Sequence, residues 1–190
     1  MITDKDRSGW FGASDVSFIT GNRETKTFKN WWLEKLGLRQ SSLNTKPMRV
    51  GTIYEHKILD TIPNVKKDRQ ILIPELRLRV NLDGETDIIH EVKTHLIDKP
   101  YKVPKAHKQQ VMVQMFAAKK EGEIVSYGLT EDDYRNYFNP IDVDRIQHNQ
   151  IVYDEAFIGE FLENLKYLKR CLERGEMPNW NEDGAYYNLI

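Results

Sequence analysis

The chain has 190 residues, 39% hydrophobic and 30% charged, with a net charge of −1, which fits one domain, 1–190, with its own core. No apolar run approaches the ~20 residues that span a bilayer, the polar start MITDKDRSGW is no secretory signal, and a lone cysteine, Cys171, rules out an internal disulfide framework and suits a reducing cytoplasm. The near-neutral charge excludes a surface coated in basic residues, but a basic groove around an acidic centre would cancel in the sum.

Residues 12–20, GASDVSFIT, begin a short helix with Ser14 as its N-cap. Residues 25–36 carry apolar side chains at helical spacing and stop at Gly37. A third helix spans about 49–62, with Ile53, Ile58, Leu59 and Ile62 as its apolar stripe, and Pro63 ends it. The period then changes. In ELRLRVNLD, Leu76, Leu78, Val80 and Leu82 alternate with polar residues, as in a half-buried strand. A turn at Gly84 and the β-rich run DIIHEVKTH follow. Residues 105–120 suit a helix and 124–130 a strand. Residues 154–175 form a long amphipathic helix, with Phe157, Phe161, Leu165, Leu168 and Leu172 recurring at three and four. The order implies an α/β (α+β) fold, a small central mixed sheet flanked by helices, with the C-terminal helix and tail over 150–190.

The chemistry concentrates in NLDGETDIIHEVKTH, residues 81–95. Glu91 and Lys93 lie two apart on a strand, so both side chains leave one face. There a carboxylate can ligate a divalent cation while an ammonium orients or helps deprotonate the attacking water. Magnesium needs few protein carboxylates, since phosphate and waters complete its shell. Alone, Glu-X-Lys reads more readily as an exposed cross-strand ion pair. Asp83 beside Gly84, Glu55 on the preceding helix, and Gln110 and Gln114 one turn apart on the next helix strengthen the catalytic reading. Asp87 is four residues from Glu91 on the same run, roughly 13 Å along an extended strand, too far to share a metal. Asp83 can come opposite Glu91 only through a wide or sharply bent connection between 84 and about 89.

In chain order, these residues resemble the lambda-exonuclease/YqaJ-type phage recombination nucleases of the PD-(D/E)XK superfamily. Arg7 and Ser14 in RSGWFGAS are similar to the family's opening Arg and Ser motif, and Gly51 with Tyr54-Glu55 to its Gly and Tyr-Glu helix. LDG at 82–84 stands where the family has PDG, EVK at 91–93 matches Glu-X-Lys, and QQVMVQM at 109–115 resembles its Gln-Val…Met helix. The motif-bearing core would cover about 7–130; the C-terminal third carries no matching motif. The resemblance implies that Asp83, Glu91 and the backbone carbonyl of Val92 ligate Mg²⁺, with Mn²⁺ as an alternative. Glu55 would serve a second ion, Lys93 would position the nucleophilic water, and Gln110 would orient Lys93 or substrate, with Gln114 in a lesser role. Arg7 and Ser14 would bind the terminal 5′-phosphate. The implied activity is Mg²⁺-dependent 5′→3′ exonuclease digestion of double-stranded DNA ends by a metal-activated water. It would leave 3′ single-stranded tails for an annealing protein in phage-type recombination, inside the bacterial host cell, from a homo-oligomer that is trimeric in processive members. An endonuclease or single-strand nuclease on the same fold, or a catalytically silent DNA-binding or assembly module, are the alternatives.

Other residues keep simpler readings. His90 faces away from Glu91 and packs against a helix, and His95 shares the Glu91 face, as a polar strand end or a DNA contact. Trp10, Phe11, Trp31 and Trp32 suit core packing better than base stacking, and Cys171 is a buried thiol. Lys102, Lys105, His107 and Lys108 form a basic cluster that either tracks a phosphate backbone, with Lys105 and Lys108 as its DNA contacts, or is a solvated loop.

Overall fold

The structure, a computed structural model, describes residues 8–40 and 46–178. Arg7 and the tail from residue 179 onward lie outside them.

After a turn of 3₁₀ helix, Ala13–Asp15, come α1 (Val16–Ile19), α2 (Lys26–Lys35), α3 (Lys46–Leu59), β1 (Lys66–Ile73), β2 (Leu78–Glu85) and β3 (Ile89–Leu96). Then follow α4 (Lys105–Ala118), β4 (Gly122–Leu129), β5 (Ile146–Ile151) and α5 (Glu155–Arg174). The five strands form one mixed sheet in sequence order. Only β3 and β4 are parallel, and the crossover a parallel pair requires is supplied by α4.

Both faces of the sheet are covered, and β4 shows it by alternation. Ile124 belongs to a core with Phe11, Trp31, Trp32, Val111, Phe161 and Leu165. The next residue, Val125, belongs to a second core with Val50, Tyr54, Ile58 and Leu59 of α3 and Val92 of β3. Successive strand residues point to opposite faces, so α3 covers one face while α4 and α5 cover the other.

One expected strand and two expected helices ran differently, and two strands gave no sequence signal. β1, KKDRQILI, and β5, IQHNQI, are polar edge strands without alternation, formed because the inner strands offer ladders to pair with. The alternating run at 75–83 begins as a 3₁₀ turn, Pro74–Leu76, and becomes strand only at Leu78. Helix α3 starts and stops about three residues earlier than the pattern suggests. Its buried stripe is Val50, Tyr54, Ile58 and Leu59, whereas Ile53 is 39% exposed. In α5 the buried stripe is Ile158, Phe161, Leu165, Leu168 and Cys171, so Phe157 and Leu172 only flank it. Helix α4 ends at Ala118 because Lys119 takes a left-handed φ of 57°.

Two glycines let α3 sit close to the sheet. A Cβ on Gly84 would meet Leu59 Cδ2 at 2.5 Å and Val65 Cγ2 at 3.0 Å, and one on Gly51 would meet Thr94 Oγ1 at 3.3 Å. Each falls beside a site residue, Asp83 or Glu55, so close packing of α3 sets where the carboxylates meet.

Candidate metal and nuclease site

The β2–β3 hairpin places its acids by register. Glu85 pairs with Ile89 and Gly84 with His90, and one step further the same register sets Asp83 across from Glu91. The connection is therefore the three residues 86–88. It is tighter than a wide loop, because Gly84 and Glu85 still belong to the strand and the turn falls two residues later than Gly84. Asp87 is exposed within that turn, away from the site. Beyond Gly84 and His90 the ladder pairing stops, and Asp83 Oδ2 accepts a 2.9 Å hydrogen bond from Val92 N instead. A strand residue's amide and carbonyl face the same neighbour. The Val92 carbonyl is thus turned toward the gap that Asp83 occupies.

Glu91 is 2% exposed and the hub of the cluster. Its Oε1 accepts from Lys93 Nζ and Gln110 Nε2, both at 2.5 Å, and its Oε2 from Gln114 Nε2 at 2.5 Å. The spacing of Gln110 and Gln114, one helical turn, is what lets α4 address both oxygens. Both glutamines thus engage Glu91, and Gln114, fully buried, also donates to Asn81 O at 3.1 Å. The Lys93–Glu91 ion pair of the simpler reading does exist, but half-buried and inside this cluster.

The electrostatics are those of crowded carboxylates. Burial, then the neighbouring Glu91 and Glu55, push the Asp83 carboxyl well above the ordinary carboxylate range. Burial and then Glu91 also raise Glu55, which places this α3 side chain within electrostatic reach of the hairpin acids. For Lys93, burial opposes the charged form, but Glu91 and Asp83 outweigh it and hold the ammonium above its usual value. Lys93 is therefore a cation and a donor. Asp83 and Glu91 against one ammonium, with Glu55 within electrostatic reach and a backbone carbonyl on the same gap, are a hard-oxygen donor set that suits magnesium.

Sequence reasoning missed a flank of this cluster. The β1–β2 register, Lys67↔Gly84 and Arg69↔Leu82, sets Asp68 across from Asp83 on the other side. Asp68 has a φ of 58°, a left-handed conformation aspartate tolerates. Its Oδ2 lies 3.1 Å from His56 Nε2, and one donor atom each from Glu55, His56 and Asp68 fall within 4.8 Å of one another. Nothing in KKDRQILI marks Asp68, because its role depends on a strand pairing that the sequence conceals.

The segment carrying Ser14 is held by Asp15. The Asp15 carboxylate accepts from Gly12 N at 2.7 Å, Trp31 Nε1 at 2.9 Å and Lys35 Nζ at 2.6 Å. Phe11 N donates to Arg77 O at 2.8 Å, and Arg79 N to Phe11 O at 2.7 Å. Ser14 is thus not the N-cap, since the acid beside it holds the turn. It instead lines a cavity of about 100 Å³ with Trp10, Arg79, Asn81, Asp83 and Gln110. Arg79, 8% exposed, is a second residue the pattern assigned only to a polar strand face. Phe11, Trp31 and Trp32 are core residues, as expected.

Lys105 and Lys108 are exposed and sit apart from the carboxylates. With Thr20, Gln109, Phe157 and Glu160 they line a groove of about 460 Å³ between α4 and α5. His90 is buried but paired rather than packed. Its Nδ1 lies 2.7 Å from Glu123 Oε1 and its Nε2 2.8 Å from Thr86 Oγ1.

No protein-family profile matches the sequence, and no curated protein matches it. Solved structures do. An alkaline exonuclease (LHK-Exo) from Laribacter hongkongensis superposes with a TM-score of 0.66 at 20% identity, covering 89% of this chain and 90% of that one. The same enzyme in complex with dAMP gives the same values. A phage related exonuclease from Haemophilus somnus 129PT gives 0.63 at 13% identity, covering 87% and 94%. At these identities the likeness establishes a shared fold: the chain has the α/β fold of these exonucleases. That fold agrees with the nuclease group that the motifs resemble. Among the described residues, no helix is long and apolar enough to cross a membrane.

Proposed function

We propose that the protein is a divalent-metal-dependent exonuclease that digests double-stranded DNA from its 5′ ends. The observation that carries this reading is the gathering of Asp83, Glu91, Lys93, Gln110 and Glu55 at the point where β2 and β3 part. Asp83, Glu91 and the Val92 carbonyl would hold one Mg²⁺ ion, and Glu55, supported by His56 and Asp68, a second. When bound, the ions supply charge neutralisation for the attacking and leaving oxygens of an in-line displacement.

The chain's own residues do the positioning. Lys93, kept protonated by its acidic neighbours, donates to and orients the water rather than removing its proton. Gln110 and Gln114 fix both oxygens of Glu91, so that carboxylate cannot swing away. The water oxygen bonds to phosphorus and gives its proton to solvent, the P–O3′ bond to the terminal nucleotide breaks, and O3′ takes a proton from solvent, so that nucleotide leaves with a 3′-hydroxyl and its own 5′-phosphate. Ser14 and Arg79, in the cavity beside Asp83, suit that 5′-phosphate, with Arg7 as a further partner. A 5′-phosphate held there would give 5′→3′ polarity; the resemblance further suggests 3′ tails for an annealing protein and a ring-shaped trimer as the processive assembly.

End-labelled linear duplex, incubated with and without Mg²⁺, tests the reading. Mononucleotides should appear from 5′-phosphorylated ends only with the metal, and Glu91→Ala and Lys93→Ala should abolish them while the fold persists. Equal cutting of covalently closed circles would overturn the exonuclease assignment, and unchanged activity in both variants would remove the site.

A further inference from the structure

Beside the carboxylate cluster, two rings form a short column that the reaction above does not use, with a third ring bonded at its edge. The ring of Tyr101 stacks on His95 with centroids 5.1 Å apart and 28° between planes, while His107 meets the hydroxyl edge of Tyr101 with centroids 6.5 Å apart. His95 leaves the same face of β3 as Glu91 and Lys93, two residues beyond Lys93. Tyr101 belongs to the connection before α4, and His107 to its first turn, so three segments converge on the column. The column is fixed in place: Tyr101 Oη lies 2.9 Å from His107 Nδ1, and His95 Nδ1 lies 2.9 Å from Leu96 O.

The column stands close to the reacting centre. Burial pushes the Tyr101 hydroxyl up to about 12, against the nearby Lys93 ammonium and with Glu91. Burial and then Lys93 lower His107, which keeps it a neutral acceptor for Tyr101. His95 is half-buried, and beyond it Leu96 and Ile97 are 45% and 43% exposed. The apolar end of the column therefore opens outward. Around it Lys99, Lys102, Lys105 and Lys108 are all exposed, with Asp98 beside Lys99 and with Asp154 and Glu160 in the groove of Lys105 and Lys108.

We propose that His95 and Tyr101, the latter held by His107, form a stacking subsite that receives an unpaired nucleobase of the strand being cleaved, with the neighbouring lysines on its phosphates. Rings that already stack on one another present a fixed, preorganised face, and every base has a π-face to lay on it. Exposed lysines beside the rings suit the phosphates of a polyanion. Seating a base there would peel the terminal nucleotides from their duplex and bring the next phosphate to Asp83 and Glu91. The inference rests on the nuclease reading and adds to it a separate element, the base contact.

The test uses short 5′-phosphorylated duplexes carrying 2-aminopurine at each of the terminal positions in turn, in either strand, with Ca²⁺ in place of Mg²⁺. Stacking on the column quenches the probe at one position of the cleaved strand in the wild-type protein. His95→Ala and Tyr101→Ala should lose that quench and weaken binding by about fivefold or more, whereas Tyr101→Phe, which keeps the ring, should retain the quench. Circular dichroism establishes that each variant is folded, and His95→Ala, at a half-exposed position, is the decisive one. Binding within about twofold of wild type and an unchanged quench in His95→Ala would overturn the subsite, as would a quench confined to the opposite strand. A wild-type protein that cleaves DNA but shows no quench at any position overturns the subsite alone. One that neither binds nor cleaves DNA overturns the nuclease reading with it.

Discussion

Replacing Glu91 by glutamine separates the chemical role of this carboxylate from its structural one. The amide oxygen can keep the Lys93 and Gln110 donors that Oε1 now accepts. The new NH₂ would face Gln114 Nε2, a donor against a donor. Gln114 Oε1, however, is buried and has no hydrogen-bond partner. Turning that amide over offers the new NH₂ an acceptor, at the cost of the 3.1 Å bond to Asn81 O. Each charge-assisted bond made neutral costs about 1 kcal/mol, while removing one of several mutually repelling carboxylates works the other way. The net stability change should stay within about 2 kcal/mol, or about 4–8 °C in Tm for a chain of this size. The functional loss should be far larger. Charge stabilisation by a bound divalent ion is worth several kcal/mol, so losing one of its anionic ligands should lower hydrolysis by about a thousandfold. Thermal unfolding, calorimetric titration with Mg²⁺ and mononucleotide release from labelled duplex read the three quantities. Activity within about tenfold of wild type, in a folded variant, would refute the ligand role. A fall in Tm beyond about 10 °C would refute the argument from Gln114.

Three further outcomes follow from the charged groups. Asp83 and Glu55 bind protons more tightly in the fold than in the unfolded chain, so without metal they cost stability as pH rises from about 4 through their raised values. Glu85, Glu123 and Asp133, all lowered, act in the opposite sense only below that window, while His107, also lowered, acts oppositely below about 6.5. The difference in Tm between Asp83→Asn and wild type, measured in EDTA from about pH 5 to 8, isolates the cluster and should widen in favour of the variant as pH rises; a constant difference would refute it. Mg²⁺ should stabilise the wild type increasingly over the same range, since metal and protons compete for the same oxygens. Asp133 accepts from Thr130 N at 2.8 Å, Arg145 Nη1 at 2.6 Å and Tyr54 Oη at 3.1 Å; although burial opposes its charge, these donors hold it down to about 2. Asp133→Ala leaves Arg145 partly buried without this partner and frees the Tyr54 that precedes Glu55. Chemical denaturation should show a loss of about 3–5 kcal/mol, and a loss under about 1 kcal/mol would refute the network's importance.

The fold's inner elements were legible in the sequence because their patterns are local. The alternation of Leu78, Val80 and Leu82, the heptad-like spacing in α5 and the stop at Gly37 each reflect one element's own burial or capping. The edge strands β1 and β5 were not, because polar strands form only when an inner strand offers them a ladder. Stripes drifted by a residue in α3 and α5 where the angle of packing chooses between neighbouring side chains, so Val50 and Tyr54 are buried while Ile53 is not.

The same division runs through the site. Asp83, Glu91, Lys93 and the glutamine pair stand at short spacings on two strands and one helix, so strand and helix periodicity made them candidates, the resemblance to a nuclease family gave them roles, and Asp87 was set aside by simple distance. Spacing along the chain determined which residues are candidates. Tertiary structure decided which of them meet: a hairpin register fixed by a turn at 86–88, a β1 pairing that brings Asp68 beside Asp83, and the close seat of α3 on Gly84 and Gly51. Those placements depend on contacts between segments tens of residues apart, which local periodicity does not encode.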